Sequence, residues 1–309
     1  MSQLKFSIVI IGGGIMGGDI ATIFSAAGWN VHVVDPSQSA RDSLHGRVLN
    51  GIKKMLAPTF ETGIVTTYSN IENIDWKRIN LVIEAATEDL NLKQKIFMQI
   101  ENLAENYTTF ASNTSNFPIS EIGKFLKYKN RFLGIHFFMP AHLVPLVEII
   151  SGNETDPHLA ESMCVLFKNL GKAPIWVKKD IPGFVGNRIQ SAMMREALYL
   201  IEEGVVSAAD VDIAVRFGFG FRFLACGPIM QKEMSGWDTT CRVANALYPH
   251  LHNETSFPSN MKEMVDQGHF GMKNLHGVWV WTEESVAKEK ARIEQVLQAG
   301  LKIIIKDLK

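Results

Sequence analysis

The chain has 309 residues, of which 46% are hydrophobic and 20% are charged, as is usual for globular proteins of one or two domains. Its 31 basic and 32 acidic side chains nearly cancel, so no overall field favours a nucleic acid or an anionic membrane as partner. No apolar run approaches the roughly 18 residues of a membrane span, and the first residues lack a signal peptide's layout. Three widely separated cysteines without metal-site spacing predict no metal site and a reduced, cytoplasmic location.

The first half of the chain alternates short apolar runs with amphipathic stretches. The apolar runs predict strands at Phe6–Ile11, Asn30–Val34, Val65–Tyr68, Asn80–Glu84, Thr108–Ala111, Phe132–His136, Val144–Ile150 and Ala173–Val177. The amphipathic stretches predict helices at Pro36–Leu56, Leu90–Asn106, Ile119–Leu126 and Pro157–Leu170. This alternation is typical of an α/β, Rossmann-type fold, in which helices cover both faces of a mainly parallel sheet.

The strand signal nearly vanishes beyond residue 180. Helices are predicted there at Phe184–Glu203, Ala208–Arg216, Pro228–Leu247, Met261–Asp266 and Ser285–Ile305. We therefore predict an α/β domain at residues 1–180 and an all-helical domain at residues 181–309. The second domain is expected to complete a substrate cleft and to form dimers.

A G-x-G-x-x-G motif lies between the first strand and the first helix. Gly12 permits a tight turn, Gly14 lets the backbone approach a pyrophosphate, and Gly17 allows the helix to pack closely on the strand. The helix N-terminus offers unpaired N–H groups and the positive end of a dipole to the phosphates. Because flexible loops produce such glycine patterns by chance, the flanking strand and helix are needed for the motif to indicate dinucleotide binding.

Asp35 follows the second strand, 21 positions after Gly14. A carboxylate in this position can accept hydrogen bonds from both hydroxyls of the adenosine ribose, and it would repel a 2′-phosphate. The order of strand, glycines, helix, strand and acid therefore predicts NAD, rather than NADP, as the cofactor.

Two ionisable residues, His136 and Glu148, interrupt apolar strands late in the predicted sheet. Taken alone, each has an ordinary structural interpretation, as a histidine at a strand end or a carboxylate in a strand. Together they suit the oxidation of an alcohol. An imidazole that titrates near neutrality can accept the hydroxyl proton, and a buried carboxylate at its other nitrogen can fix the tautomer.

Ordered motifs along nearly the whole chain resemble the L-3-hydroxyacyl-CoA dehydrogenase family. These motifs are Gly12–Gly17, Asp35, Ile83–Ala85, Ser112–Ser115, His136–Pro140, Leu146–Ile150 and Pro182–Arg188. The resemblance implies an NAD-dependent homodimer with His136 and Glu148 as catalytic dyad, and with Ser115 and Asn187 hydrogen-bonding the substrate oxygen. It implies cofactor contacts from Gly12, Gly14, Ile15, Met16, Gly17, Asp35, Glu88, Lys93 and Asn113. Asn187 could instead cap a helix, and Ser115 could initiate one.

One departure from the family pattern concerns the segment after the second strand. Members that act on coenzyme A thioesters usually carry a longer, lysine-rich helical hairpin there, which holds the nucleotide part of CoA. Here only Ser37–Gly63 occupies that place, with Lys53 and Lys54 as its basic pair. The short arm disfavours a CoA ester, although CoA could still bind through these two lysines.

A second departure is the arginine-containing stretch Gly218–Pro228, which resembles the subgroup acting on small free carboxylates, such as gulonate or carnitine dehydrogenases and lambda-crystallins. A guanidinium can give a carboxylate two parallel N–H···O bonds, which a lysine cannot. Arg222 is therefore predicted to bind a substrate carboxylate; the alternative is an ion pair across a dimer interface.

These features favour an NAD-dependent dehydrogenase that oxidises the 3-hydroxy group of a small hydroxy acid, with His136 as general base. One alternative is a true L-3-hydroxyacyl-CoA dehydrogenase of fatty-acid metabolism. Another is a dehydrogenase of an aromatic pyridine carboxylate that bears an aldehyde or alcohol. A third is a non-catalytic, NAD-binding structural protein, which the intact His136 and Glu148 disfavour.

Overall fold

The computed structural model describes residues 6–55 and 61–308. Within these residues eight strands form one sheet: β1 (Ser7–Ile11), β2 (Asn30–Val34), β3 (Val65–Tyr68), β4 (Leu81–Glu84), β5 (Thr109–Ser112), β6 (Phe132–Phe137), β7 (Leu146–Ser151) and β8 (Ala173–Val177). Their order across the sheet is β3-β2-β1-β4-β5-β6-β7-β8. The predicted mainly parallel, Rossmann-type sheet is confirmed.

The pair β6–β7 is antiparallel, whereas the other neighbouring strands run parallel. Eight residues, 138–145, join β6 to β7, and a parallel crossover needs a dozen or more. The chain therefore turns straight back, and the start of β7 lies at the same edge of the sheet as the end of β6.

The described helices are α1 (Ile15–Ala26), α2 (Gln38–Lys54), α3 (Leu90–Leu103), α4 (Ile119–Ile122), α5 (Pro157–Asn169), α6 (Gly186–Glu202), α7 (Ala208–Ile213), α8 (Pro228–Ser235), α9 (Trp237–Leu247), α10 (Ser259–Asp266) and α11 (Glu283–Ile304). Side chains of β1 alternate between two buried apolar clusters. Ile8 and Ile10 belong to one cluster, and Val9 and Ile11 to the other. Both faces of the sheet are therefore covered, as the continuous apolar strands predict.

Many predicted boundaries differ from the structure by one to three residues, and three elements show larger or explicable differences. The strand predicted at Val144 begins at Leu146, because Pro145 has no N–H to donate to a neighbouring strand. The helix predicted through Leu126 ends at Ile122. The single helix predicted from Pro228 to Leu247 is two helices, since Gly236 adopts a φ of 87° that a right-handed helix cannot contain.

The chain divides into two compact units. Residues up to Asn187, together with those from Ile305 onward, form the first unit, and Arg188–Ile304 form the second. The first contains the sheet, and the second is helical. No helix within residues 6–55 and 61–308 combines the length and apolar character that a membrane span requires.

Candidate functional site

The glycine-rich loop after β1 is shaped by close backbone approaches. Gly12 has a φ of 103°, and a Cβ atom there would lie 2.6 Å from the carbonyl oxygen of Ala85, which follows β4. A Cβ atom on Gly17 would collide with the Gly12 carbonyl, whereas one on Gly14 would meet nothing within 4 Å. Gly12 and Gly17 are therefore required by the fold, and the space beside Gly14 admits a ligand next to the backbone.

Helix α1 begins in this loop with Gly14 as its N-cap. Within the described residues, no side chain caps this terminus, and its first turn holds no acidic residue. Its first N–H groups can therefore donate hydrogen bonds to a bound anion. Ile15 is 67% exposed and Met16 half-buried, so both side chains border the open loop. The terminus lies where the strand order reverses between β1 and β4, which is where nucleotides bind in such sheets.

Asp35 follows β2 and contacts the same loop. Its Oδ2 accepts a hydrogen bond from the Gly13 amide (2.7 Å), and its Oδ1 accepts one from the Ser37 amide (2.8 Å). Each carboxylate oxygen can accept a further bond, and the side chain is half-buried rather than sealed. The carboxylate is thus held in a fixed orientation with two acceptor sites to offer to ribose hydroxyls. Together with the open space beside Gly14, this arrangement fits NAD.

A buried polar network lies at the carboxyl ends of β4 and β5. Glu84 is fully buried and accepts bonds from the Lys93 ammonium (2.8 Å) and the Ser112 hydroxyl (2.6 Å). Lys93 also pairs with Glu88 (3.1 Å), which in turn accepts the Thr114 hydroxyl. The two residues predicted to contact the cofactor, Glu88 and Lys93, are therefore joined. Sequence reasoning assigned no role to Glu84, although a carboxylate that ends an apolar strand was a signal for it.

Asn113 links this network to the catalytic strand. Its side-chain oxygen accepts a hydrogen bond from the Phe137 amide (3.0 Å), one residue after His136. Its own amide donates to the Glu84 carbonyl (2.7 Å). In this structure Asn113 therefore fixes the end of β6 against the end of β4, which differs from the cofactor contact predicted for it but is compatible with it.

His136 and Glu148 form a direct, buried pair. They are register partners across β6 and β7, and the imidazole Nδ1 lies 2.6 Å from Glu148 Oε2. The side chains are 3% and 0% exposed, respectively. Since Nδ1 donates to the carboxylate, Nε2 is left as a proton acceptor. The arrangement can remove a proton from a hydroxyl group.

Two backbone amides complete the environment of Glu148. Val185 and Gly186 donate to its Oε1 at 3.0 and 2.9 Å. Burial alone would raise the pKa of Glu148, but the hydrogen bond from His136 and those from the two amides outweigh burial, so the pKa is lowered. The carboxylate therefore stays ionised near neutral pH. Sequence reasoning missed these amides, because backbone groups carry no signature in a sequence.

Ser115 and Asn187 are also brought together. The Asn187 side-chain amide donates to the Ser115 carbonyl (3.2 Å), and the Ser115 amide donates to Glu88 (3.2 Å). Asn187 directly follows Gly186, which contacts Glu148. The Ser115 side chain is exposed and that of Asn187 is half-buried.

The remaining predicted residues belong to other elements. Arg222 belongs to the Arg188–Ile304 unit, where it sits exposed in a 3₁₀ turn, Phe221–Leu224. Lys53 and Lys54 are exposed in the last turn of α2. Residues 56–60 of the predicted short arm lie outside the described residues. The structure thus assembles the dyad and the dinucleotide loop within the first unit.

Two family models match the chain. The model "3-hydroxyacyl-CoA dehydrogenase, NAD binding domain" covers residues 7–181, and "3-hydroxyacyl-CoA dehydrogenase, C-terminal domain" covers residues 183–281. Among curated proteins, a 5-formyl-3-hydroxy-2-methylpyridine 4-carboxylate 5-dehydrogenase from Mesorhizobium japonicum is 31% identical, covering 96% of this chain and 98% of its own length. A 3-hydroxybutyryl-CoA dehydrogenase from Clostridioides difficile is 30% identical, with 88% of this chain and 98% of that protein covered.

Two similar solved structures belong to these same two groups of enzymes. The crystal structure of a 5-formyl-3-hydroxy-2-methylpyridine 4-carboxylic acid 5-dehydrogenase, described as an NAD+-dependent dismutase, has a TM-score of 0.92 at 29% identity and covers 98% of this chain and 99% of its own. The (S)-3-hydroxybutyryl-CoA dehydrogenase of Ralstonia eutropha has a TM-score of 0.70 at 31% identity and covers 90% of this chain and 100% of its own.

Proposed function

The chain belongs to the 3-hydroxyacyl-CoA dehydrogenase family, and we propose that within this family it oxidises a small free carboxylate rather than a CoA thioester. It is an NAD-dependent oxidoreductase that acts on a hydroxyl group. The proposal concerns the substrate and the residues that act on it.

One observation carries the choice of substrate class. At nearly equal sequence identity, the similarity to the pyridine carboxylate dehydrogenase structure (TM-score 0.92) exceeds that to the hydroxybutyryl-CoA dehydrogenase structure (0.70). The match also extends over 98% of the chain rather than 90%. Since the sequences diverge equally, the difference in backbone similarity favours a substrate of the first kind.

We therefore propose an aromatic acid that carries a hydroxymethyl or formyl group as the preferred substrate, ahead of the aliphatic 3-hydroxy acid that the sequence favours. A hydrated aldehyde is a geminal diol, so its oxidation to a carboxylic acid also removes a proton from a hydroxyl oxygen and a hydride from the carbon that bears this oxygen. The same dyad thus serves an alcohol and a hydrated aldehyde. Phe138 supports the aromatic class, because its half-buried ring lies 4.8 Å from the His136 ring, between ring centroids.

The reaction requires an acceptor for the hydride, which NAD supplies when it is bound. Gly12, Gly14 and Gly17 with Asp35 would hold it, since their geometry leaves room and hydrogen-bonding groups for a dinucleotide. In the mechanism proposed here, His136 Nε2 accepts the substrate's hydroxyl proton.

Glu148 stays ionised and stabilises the imidazolium that results, while its two backbone donors keep it in place. Ser115 and Asn187 are proposed to hydrogen-bond the substrate oxygen, and their neighbouring positions support this. Arg222 is proposed to bind the substrate carboxylate through two parallel hydrogen bonds.

Substrate profiling tests the proposal. NADH formation should be measured with purified protein, NAD and three sets of compounds: pyridine carboxylates with hydroxymethyl or formyl groups, free 3-hydroxy acids, and 3-hydroxyacyl-CoA esters. We expect turnover of a free carboxylate and little turnover of the CoA esters. Efficient oxidation of 3-hydroxybutyryl-CoA without activity on any free acid would contradict the proposal.

A homodimer formed through the helical unit is a further part of the proposal. Met193, Met194, Met230 and Met234 are between 38% and 78% exposed in the isolated chain. Exposing that much apolar surface to water is unfavourable, and contact with a second copy would bury it.

A further inference from the structure

Arg47, on α2, contacts backbone carbonyls of the glycine-rich loop. Its Nη1 donates to the carbonyl of Gly14 (2.9 Å), and its Nη2 donates to the carbonyls of Gly13 (2.5 Å) and Ala40 (3.3 Å). A residue 33 positions along the chain therefore fixes two consecutive peptide groups of the loop. No motif in the sequence pointed to this contact.

Among residues 6–55 and 61–308, no carboxylate lies within ion-pair distance of Arg47. Its three acceptors are neutral carbonyls. The side chain is half-buried, so water screens the charge less than at an open surface. A cation that makes no direct ion pair and lies next to this loop attracts an anion placed in the loop.

Gly18 provides the space that the guanidinium occupies. A Cβ atom at Gly18 would lie 2.7 Å from Arg47 Nη1, closer than Cβ atoms approach other side chains, so the guanidinium would have to shift. Gly18 is not one of the three glycines of the G-x-G-x-x-G motif, so the dinucleotide fold does not itself explain it. Its lack of a side chain is explained by the arginine that packs against it.

Gly13 is thereby held from two sides. Its amide donates to Asp35 (2.7 Å), and its carbonyl accepts from Arg47 (2.5 Å). Turning the Gly13 and Gly14 carbonyls towards the guanidinium directs their negative ends away from the open side of the loop. A diphosphate in the loop would then meet N–H groups rather than carbonyl oxygens.

We propose that Arg47, seated on Gly18, is a positioning residue for the dinucleotide: it orients the loop carbonyls and adds a positive charge behind the diphosphate. Arg47 acts through the loop and does not depend on which substrate the enzyme oxidises. The proposal therefore stands or falls separately from the choice of a free carboxylate as substrate.

The test measures binding of NAD fragments rather than turnover. ADP-ribose contains the diphosphate without the nicotinamide, whereas adenosine contains no phosphate. Dissociation constants for both should be measured by calorimetry or ligand-observed NMR for wild type, Arg47→Met, Arg47→Lys and Gly18→Ala. Lys53→Met is the matched control, because it removes a charge from the exposed end of the same helix.

We expect Arg47→Met to weaken ADP-ribose binding about tenfold, because water partly screens this half-buried charge. Adenosine affinity should change by no more than about twofold. Gly18→Ala should behave alike although it keeps the arginine, because the added methyl displaces the guanidinium. Arg47→Lys should give an intermediate loss, and Lys53→Met no loss.

Two results would overturn the proposal. One is that Arg47→Met and Gly18→Ala both bind ADP-ribose as wild type does, even if their melting temperatures fall, since Arg47 would then only stabilise the fold. The other is that the folded variants lose affinity for ADP-ribose and for adenosine by the same factor. If Arg47→Met does not fold, the ADP-ribose to adenosine ratio of Gly18→Ala and Arg47→Lys decides the question.

Discussion

His136 and Glu148 face each other across the antiparallel pair β6–β7, with the imidazole Nδ1 2.6 Å from the carboxylate. Both side chains project from the sheet face opposite to Phe137 and Val147, their neighbours in the strands, which pack in an apolar cluster on the other face. The register therefore places a hydrogen-bonded histidine and carboxylate side by side in the buried part of the sheet. This pair is the basis of the first prediction.

Removing either member of the pair should reduce turnover and spare cofactor binding. For His136→Ala we expect a kcat loss of about 10²–10⁴, typical of general acid–base groups, and Glu148→Gln should also lower kcat because it leaves the imidazole unoriented. Steady-state kinetics and NAD binding by fluorescence check this. His158→Ala, at a 90% exposed histidine, is the control. Near wild-type turnover of His136→Ala would refute the mechanism.

Cofactor choice should depend on Asp35. Asp35→Ser removes the carboxylate that would accept ribose hydroxyls and repel a 2′-phosphate, so the preference for NAD over NADP should narrow. Losing the hydrogen bond from the Gly13 amide to Asp35 should also weaken the binding of NAD. The ratio of kcat/KM for the two cofactors is the measurement, with Asp42→Ser, an exposed aspartate of α2, as control. Equal use of both cofactors by wild type would show that Asp35 does not contact the ribose.

Substitutions at Arg222 and at the pair Lys53 and Lys54 should impair activity on different classes of substrate. If Arg222 binds a carboxylate, Arg222→Lys keeps the charge but loses the bidentate geometry. Loss of a charge-assisted hydrogen bond of about 1.5–3 kcal/mol would lower kcat/KM for the free acid roughly 10- to 150-fold. Replacing Lys53 and Lys54 together by alanine should leave this value unchanged.

The same variants should be assayed with a hydroxyacyl-CoA ester. If the enzyme acts on free acids, we expect negligible activity on the CoA ester in every variant. The opposite pattern, in which Arg222→Lys leaves KM unchanged and the double lysine variant loses activity on the CoA ester, would favour the fatty-acid enzyme.

Stability should rise with pH above about 8 because of Lys172. Burial lowers the pKa of this ammonium to about 8, and nearby Asp19 offsets part of the effect. The unfolded state then binds more protons between pH 8 and the ordinary lysine pKa of about 10.4, so the free energy of unfolding increases with pH across this window. The full gain, relative to Lys172→Met, is about 3 kcal/mol.

Urea denaturation of wild type and Lys172→Met from pH 7.5 to 10 measures this difference, and the subtraction removes other titrating groups. In the structure the ammonium donates to the carbonyls of Ala141 (2.5 Å) and Val144 (3.0 Å). A difference between the two proteins that does not change with pH would contradict a lowered pKa.

The association state should be dimeric at micromolar concentration. Sedimentation velocity of the wild type is expected to give twice the mass of the 34.5 kDa chain. Met230→Glu and Met234→Glu, at exposed positions of α8, should shift the equilibrium towards monomer, because they would bury a charge in the interface. A monomer mass for the wild type would refute the dimer.

Local sequence patterns determined much of this protein. Strand Ser7–Ile11, the glycines after it and helix Ile15–Ala26 each follow from residues within a few positions of one another, because glycine geometry and apolar periodicity act locally. The sheet type followed from the alternation of such elements. The nucleotide loop could therefore be predicted from local patterns, whereas the pairing of His136 with Glu148 was an expectation from their residue types and the family resemblance.

Tertiary structure alone decided how these elements meet. Whether His136 faces Glu148 depended on the register of β6 and β7, because a shift of one residue would turn one side chain to the other face of the sheet. The amides of Val185 and Gly186 reach Glu148 across 37 and 38 positions, and Arg47 reaches Gly14 across 33. Such contacts depend on the packing of distant segments, and the backbone groups that take part are identical in every residue except proline, so no sequence pattern can mark them.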